Sequence, residues 1–308
     1  MKIISKKLLR FTSFIFLIVL VFACSSKKYK LVAPKINSNY AMKLLKEGAS
    51  IKPRHSGSKG AKETVKFINK YLKVLNVKYL NQAWTGNTPD GPIEFTNVIA
   101  EIDGQSKDKF IIIGCHFDGK KLFSVPDFEA ANDGASGVAV LLSMIKAIKN
   151  SEIKPLLSIK FLFFDGEECI INYTRSDGLY GSRYYADQLE KADQLKNCRA
   201  VIILDMIGDR DLNITLPSGS DKNILKLLFE IVKKKQYSKY FTKYKSDIID
   251  DHTPFQIRGI PVMDVIDFHY GDGNRFWHTA ADTVDKTSEK SLAITGDTIL
   301  QLIYQLKP

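Results

Sequence analysis

The stretch FIIIGCHFD, residues 110–118, is an apolar run that ends in a histidine and an aspartate. Two later stretches have the same form: FLFFDGEE, residues 161–168, and VIILD, residues 201–205. A short, continuous apolar run of this kind predicts a strand that is buried on both faces, as in a parallel sheet. Polar residues therefore follow three predicted strands at the point where each strand ends.

Predicted helices alternate with these strands along the chain. The apolar and β-rich runs predict strands over 96–102, 109–116, 157–164, 200–207 and 261–266, and helical spacing predicts helices over 135–150, 181–192, 221–236 and 290–306. Two further helices are predicted within residues 38–76, where apolar residues recur on one stripe. This alternation predicts an α/β fold with a central, largely parallel sheet.

The composition is that of one globular domain. The chain has 308 residues, of which 44% are hydrophobic and 26% charged, and it contains no repeat or Pro- or Ser-rich linker. We therefore predict a single catalytic domain over residues 38–308. Besides Cys24 the chain has three cysteines, so at most one disulfide can form among them and the fold does not depend on a disulfide framework.

The net charge of +11 raises the question of a nucleic-acid partner. The basic stretch KKKQYSKYFTKYK, residues 233–245, is interleaved with tyrosines, a pattern that nucleic-acid sites share. Apolar residues at helical spacing precede it, so we predict that it is the solvated end of an amphipathic helix. No nucleic-acid partner is expected.

The N-terminus has the form of an export signal. Lys2, Lys6, Lys7 and Arg10 precede an apolar run over residues 11–23, which is too short to span a bilayer comfortably. The run ends in VFAC, which resembles a bacterial lipobox. We predict a signal peptide over 1–23, a lipidated Cys24, a membrane tether over 24–37, and an exported protein anchored to a bacterial membrane, either the outer membrane or one facing the periplasm. A plain signal peptide with an incidental cysteine is the alternative, and the polar SSKKYK that follows favours the anchor.

Acidic and histidine side chains are expected to meet at one edge of the sheet. In open α/β sheets the ligand crevice lies outside the carboxyl ends of the strands. Histidine nitrogens and carboxylate oxygens are zinc ligands, and a catalytic zinc keeps one position open beside three protein ligands. The candidate ligands and proton carriers at this edge are His116, Asp118, Asp133, Glu167, Glu168, Asp205 and His278.

Several motifs, taken in order, resemble the zinc aminopeptidase superfamily. They are His-x-Asp, Asn-Asp-Gly-x-Ser-Gly, Glu-Glu, Gly-Leu-Tyr-Gly-Ser, Leu-Asp-Met-Ile-Gly, Asp-His-x-Pro-Phe and His-Thr-x-x-Asp, and they extend from about residue 97 to the C-terminus. The resemblance implies a three-layer sandwich with a central mixed, mostly parallel sheet and helices on both faces. It also implies zinc at the strand ends.

Three details resemble the glutaminyl cyclase branch of that superfamily. Nine residues, CIINYTRSD (169–177, here called the inserted loop), separate the Glu-Glu pair from Gly178, whereas the two motifs almost adjoin in aminopeptidases. Asp250 precedes the Asp-His pair, and Trp277 precedes His278. One position departs from the pattern: cyclases of the animal type carry tryptophan where Tyr173 stands. The resemblance therefore does not decide the details of the pocket wall.

The resemblance implies a role for each candidate. Asp133, Glu168 and His278 would bind one zinc, Glu167 would be the general acid and base, and Asp205 and Asp250 would complete a carboxylate network. Trp277 and Tyr173 would wall the substrate pocket. His116 and Asp118 would either bind a second metal or contact the metal ligands and hold them in position without binding metal themselves.

The expected activity is therefore that of a glutaminyl-peptide cyclotransferase. Such an enzyme converts the N-terminal glutamine of peptides or proteins to pyroglutamate and releases ammonia, here with a single zinc. A two-zinc aminopeptidase is the main alternative. A non-catalytic lipoprotein that uses the fold as a binding surface is disfavoured, because every acid and histidine that the chemistry requires is present.

Overall fold

The computed structural model describes residues 31–308, in which helices and strands alternate along most of the sequence. The α-helices are α1 Ser38–Ala49, α2 Lys59–Val74, α3 Ala135–Lys149, α4 Tyr180–Lys191, α5 Lys222–Lys234, α6 Thr253–Gln256 and α7 Glu289–Ile303. The strands are β1 Lys78–Thr88, β2 Gly91–Ile102, β3 Ser106–His116, β4 Leu157–Phe164, β5 Cys198–Asp205, β6 Ile214–Leu216, β7 Phe241–Lys243 and β8 Val262–Ile266.

The eight strands form one mixed sheet in the order β1-β2-β4-β3-β5-β8-β6-β7. The four central strands β4, β3, β5 and β8 run parallel to one another. Antiparallel pairs join β1 to β2, β2 to β4, and β6 to β8. The carboxyl ends of β3, β4 and β5 consequently lie side by side at one edge.

Helices cover both faces of the sheet, which confirms the predicted three layers. Ile111 and Ile113 of β3 pack into a core built with α1, α2, α3, α5 and α7. Phe110 and Ile112 of the same strand pack into a second core on the opposite face, with residues of α4 and α6. Burial on both faces explains why residues 110–115 of β3 are a continuous apolar run.

Local signals fix where several helices begin. The side chains of Asn37, Ser58, Asp221 and Ser288 each accept a hydrogen bond from a backbone N–H in the first turn of the helix that follows. These residue types are preferred at this position because their oxygens satisfy N–H groups that have no partner within the helix.

Two sequence expectations are corrected by the structure. Strand β1 was not predicted, because it is a largely exposed edge strand that lacks an apolar run. The basic stretch 233–245 is not simply the end of a helix: α5 ends at Lys234, and the stretch continues through a short turn into β7. Strand β7 pairs with β6, so the second half of the stretch belongs to the sheet, and the helical spacing that precedes the stretch belongs to α5.

The predicted signal peptide, Cys24 and most of the predicted tether lie outside the described residues. Within residues 31–308, no helix is long and apolar enough to cross a membrane. Cys115, Cys169 and Cys198 are buried free thiols.

Candidate active site

The three predicted strand ends come together as the sequence indicated. His116 ends β3, Asp205 ends β5, and the Glu-Glu pair follows β4. His116 Nε2 lies 3.1 Å from Asp205 Oδ1 and 3.2 Å from Asp133 Oδ1. The residues that the sequence placed at one edge are therefore in direct contact.

Asp133, Glu168 and His278 form a group that can hold a metal ion. His278 Nε2 lies 2.8 Å from Glu168 Oε1 and 3.3 Å from Asp133 Oδ2. Asp133 Oδ2 and Glu168 Oε2 are buried and have no hydrogen-bond partner. Burial lowers the pKa of His278, but the two carboxylates outweigh it and raise that pKa to about 10. Two carboxylates and one imidazole, with oxygens left unpartnered, are a donor set that fits zinc.

A glycine allows Asp133 to take its position at the start of α3. Gly134 has a φ of 95°, which favours glycine, and a Cβ there would lie 2.7 Å from the carbonyl oxygen of Asp118. The same Cβ would lie 3.3 Å from the ring of His116. The turn ANDGASG thus brings the Asp133 carboxylate close to β3 only because this position has no side chain.

A second group adjoins the first and shares Asp133 with it. His116, Asp133 and Asp205 place one ligand atom each within 4.8 Å of one another. Burial lowers the pKa of His116, yet hydrogen bonds to Asp118, Asp133 and Asp205 raise it well above its ordinary value. Burial raises the pKa of Asp205 to about 7, although His116 opposes the shift. The arrangement is compatible with an ion-paired histidine and with a second metal.

Asp118 supports the turn that carries the two glutamates. Its carboxylate accepts hydrogen bonds from the backbone N–H groups of Glu167 at 3.1 Å and Glu168 at 3.2 Å. Its carbonyl oxygen lies 3.1 Å from His116 Nδ1. Asp118 belongs to none of the three groups of the described residues that could hold a metal ion, so its observed contacts are those of a residue that positions the site.

Glu167 has the surroundings of a proton carrier. The hydroxyl of Tyr173 donates a hydrogen bond to Glu167 Oε1 at 2.5 Å. Burial, and then the neighbouring Glu168, raise the pKa of Glu167 well above its ordinary value. A carboxyl group with a raised pKa can hold a proton near neutral pH and release it to a nitrogen base.

The inserted loop owes its shape to Asp177. This carboxylate accepts hydrogen bonds from three successive backbone N–H groups, those of Ile170, Ile171 and Asn172. It also accepts one from the hydroxyl of Tyr180 at the start of α4. The loop is closed on itself in this way, and Tyr173 is directed toward Glu167.

A cavity of about 340 Å³ opens onto these groups. Its lining includes both glutamates, Asp133, Asp205, Asp250 and His278, with Tyr173, Ile248, Phe268 and Trp277 as apolar walls. The Trp277 ring stacks on His278 with centroids 4.1 Å apart and meets Phe268 edge-on at 5.3 Å. The predicted pocket residues Trp277 and Tyr173 therefore do line the cavity. A larger groove of about 570 Å³, between α2 and β1–β2, contains neither metal-ligand group.

Two residues that support the ligands were missed by the sequence reasoning. Asp282 accepts the backbone N–H of Asp133 at 3.1 Å and that of Asn132 at 2.8 Å. Lys120 Nζ lies 3.5 Å from Glu168 Oε2 and donates to the carbonyl of Cys169 at 2.7 Å. Asp282 is the aspartate of the His-Thr-x-x-Asp motif, which was the available signal, whereas no pattern pointed to Lys120.

Comparison with known proteins places this site in a family. The sequence profile of peptidase family M28 matches residues 97–303, more than half of the protein. The chain belongs to peptidase family M28. The match spans β3, β4 and β5 and every candidate ligand, so the site described above lies within the matched region.

Within M28 the similarity is to glutaminyl cyclases. The protein is 29% identical over 275 residues to the glutaminyl-peptide cyclotransferase of Bos taurus, an alignment that includes 78% of this chain and 75% of that one. The crystal structure of an Acidobacteriales bacterium glutaminyl cyclase is 33% identical, with a TM-score of 0.82 over 89% of this chain and 96% of that one. Both the predicted fold and the predicted branch are confirmed.

A protein of similar fold is named as an aminopeptidase and not as a cyclase. The crystal structure of a leucine aminopeptidase precursor from Bacteroides thetaiotaomicron is 25% identical, with a TM-score of 0.78 over 89% of this chain and 99% of that one. The fold alone therefore does not select the reaction, which depends on the residues of the site.

Proposed function

We propose that this protein is a glutaminyl-peptide cyclotransferase that converts the N-terminal glutamine of peptides or proteins to pyroglutamate and releases ammonia. One observation carries the proposal: Tyr173 of the inserted loop lines the cavity and donates a hydrogen bond to Glu167. The loop thereby confines the space beside the proton carrier to a small pocket. Its length is also the feature that resembles cyclases rather than aminopeptidases.

The reaction joins two groups of the same residue. The α-amine attacks the amide carbon at the end of the glutamine side chain, and the new C–N bond closes a five-membered ring. The bond from that carbon to the amide nitrogen breaks, and ammonia is released. Glu167 takes the proton that the amine loses and returns it to the departing nitrogen. Because the two reacting groups are already joined, the protein has to orient them rather than capture a second reactant.

The aromatic walls and the carboxylates supply this orientation. Trp277 and Tyr173 line the cavity from two different loops. Asp250 lies at the same wall, and its charge raises the pKa of Glu167 further. A proton is thereby retained on Glu167 until the leaving nitrogen becomes basic.

Asp133, Glu168 and His278 would hold the metal of this enzyme, and we propose one zinc per protein molecule. When bound there, zinc polarises a carbonyl as a Lewis acid and stabilises negative charge on its oxygen. The residues fit this ion because Asp133 Oδ2 and Glu168 Oε2 are buried and accept no hydrogen bond, and their neighbours are His278 Nε2 at 3.3 Å and Lys120 Nζ at 3.5 Å.

Mass spectrometry tests the proposal directly. Purified protein is incubated with a peptide that begins with glutamine and with a matched peptide that begins with leucine. The proposal expects the first to lose ammonia and the second to stay intact. Loss of an N-terminal amino acid from either peptide, without cyclisation, would instead show an aminopeptidase.

A two-zinc aminopeptidase is the second candidate, and the group formed by His116, Asp133 and Asp205 is what favours it. Metal analysis separates the two. One zinc per molecule, unchanged in His116→Ala, supports the cyclase, whereas two zincs with the loss of one in His116→Ala support the aminopeptidase.

We also propose that the protein is exported and held at a bacterial membrane through a lipid on Cys24. The support is the sequence alone: the basic start, the short apolar run and the VFAC boundary. In cell fractionation the wild-type protein should partition with membranes and Cys24→Ser should not. Equal partitioning of the two forms would remove the anchor.

A further inference from the structure

A group of buried polar residues lies next to the candidate active site, and only one of them, Asp250, has entered the chemistry described so far. Among the described residues, thirteen buried side-chain nitrogen or oxygen atoms lack a hydrogen-bond partner. Six of these atoms belong to Asp250, Asp251, His252 and Asp264, here called the buried acid cluster. Buried polar atoms are nearly always paired, so this concentration requires an explanation.

Asp264 is the most unusual member of the cluster. It lies in the middle of β8 and is fully buried. Its neighbours on the same face of the sheet are apolar: Ile203 is its partner on β5, and Val262 and Phe255 belong to the same core. An aspartate here interrupts the apolar sequence of the strand. Moving a carboxylate from water into a buried position without a partner costs roughly several kcal/mol of folding free energy.

The carboxyl groups of Asp264 and Asp250 face one another. One ligand atom each from Asp250, His252 and Asp264 lies within 4.8 Å of the others, and His252 Nδ1 lies 3.8 Å from Asp264 Oδ2. Asp250 Oδ1 accepts the backbone N–H of Asp251 at 2.5 Å, which leaves Asp250 Oδ2 without a partner. An ionised carboxylate can only accept, so two facing carboxyl oxygens need a proton or a cation between them.

A proton satisfies this pair better than a metal ion does. Asp250 lines the cavity, but Asp264 and His252 do not, and besides Asp250 and His252 the surroundings of Asp264 include the apolar side chains of the second core. A cation would have to shed its water to enter such a place, whereas one proton completes a hydrogen bond and removes a buried charge. Burial, and then the charge of Asp250, raise the pKa of Asp264 well above its ordinary value, which agrees with this choice.

We propose that Asp264 is a positioning residue whose carboxyl group carries a proton and donates it in a hydrogen bond to Oδ2 of Asp250. The bond fixes the Asp250 carboxylate at the wall of the cavity, where its charge acts on Glu167. The functional part of this inference rests on the proposed cyclase activity. The protonated state of Asp264 does not.

Two substitutions test whether Asp264 acts as a hydrogen-bond donor or only as a packed side chain. Asp264→Asn keeps a donor for Asp250, and Asp264→Val removes it with a side chain suited to a buried strand. We expect Asp264→Asn to retain kcat within about threefold and Asp264→Val to lose about 10- to 100-fold in kcat, the range for residues that support a catalytic group from behind. KM and zinc content should be unchanged in both. Asp297→Asn, which alters a buried aspartate that accepts the N–H of Ile36 at 2.9 Å, is the matched control and should behave as wild type.

Infrared spectroscopy gives a readout that needs no activity. A buried protonated carboxyl has a C=O stretching band that shifts in D2O, and the wild-type minus Asp264→Asn difference spectrum should contain one such band. Its absence would overturn the inference, as would equal kcat losses in the two variants or a metal ion that Asp264→Asn releases. If wild-type protein does not cyclise glutamine peptides, the proposed function fails while the infrared result still decides the state of Asp264.

Discussion

Substituting Glu167 by glutamine tests the division of labour between the two adjacent glutamates. Glutamine has nearly the shape of glutamate, and its carbonyl oxygen can still accept the hydrogen bond that Tyr173 donates at 2.5 Å. What it cannot do is take up and return a proton. The variant should therefore keep the fold, the cavity and the metal group, and lose turnover.

The magnitude follows from the role. General acid–base catalysis contributes about 100- to 10,000-fold, which corresponds to about 3–5 kcal/mol of transition-state stabilisation. Glu167 is buried, so bulk water is poorly placed to replace it. We expect kcat for a Gln-peptide to fall by at least about 100-fold while KM changes little, because the amide occupies the same space.

Stability supplies a second measurement. In the metal-free protein, burial and Glu168 raise the pKa of Glu167, so the folded state holds its proton more tightly than the unfolded state does. The stability that this proton contributes is present below the ordinary glutamate pKa and is lost as pH rises through the raised value. After chelation, Glu167→Gln should therefore melt at a higher temperature than wild type above neutral pH, and the difference should shrink in acid.

Glu168→Gln is the matched control, since it alters the neighbouring residue in the same way. Glu168 contacts His278 at 2.8 Å, so this variant should lose zinc and, with it, activity. Ammonia release and zinc content are measured for both proteins. Zinc loss in Glu167→Gln with retention in Glu168→Gln would reverse the roles, and an active Glu167→Gln enzyme would move proton transfer to Asp205 or Asp250.

Three further predictions concern the residues around this pair. Tyr173→Phe removes the hydrogen bond to Glu167 and should lower kcat by about 10-fold, or about 1.4 kcal/mol, at unchanged zinc content, as steady-state kinetics and metal analysis would show. Asp282→Asn places an amide against the backbone N–H of Asp133 and should weaken zinc binding about 10- to 100-fold in chelator competition. Burial raises the pKa of Asp177, but the backbone N–H groups that donate to its carboxylate outweigh burial and lower the pKa below its ordinary value of 3.8. The inserted loop should therefore resist proteases from neutral pH to below pH 3.8 and lose this resistance only as the pH falls further. At neutral pH, Asp177→Asn should be cut faster than wild type.

The sheet and the candidate ligands were predictable because both depend on short-range patterns. Apolar runs buried on two faces identify the central strands, and polar residues directly after them have to meet at one edge. Strand β1 was not detected because it is largely exposed and has no apolar run, although the Pro-Asp-Gly sequence at 89–91 was a signal for the hairpin turn that joins it to β2. Only its pairing with β2 makes it a strand.

Sequence patterns did not predict the contacts that hold the site residues in position. Tyr173 was expected to wall the pocket, but its bond to Glu167 depends on a loop whose shape Asp177 fixes through three backbone N–H groups. Asp118 was a candidate metal ligand, and its contacts with backbone N–H groups required the turn after β4 to be folded. Asp264 was visible as an acid within an apolar strand, but its partner lies elsewhere in the sequence.

The two hydrogen bonds that the Asp118 carboxylate accepts from the backbone of Glu167 and Glu168 affect which parts of the sequence can vary. Asp118 holds the backbone of Glu167 and Glu168 from the neighbouring strand, so their spacing is set by the sheet and not by the loop that follows. The inserted loop can therefore vary in length and sequence while the reactive groups keep their places. A designer seeking new N-terminal specificities would exchange that loop as a cassette and leave the strand ends untouched.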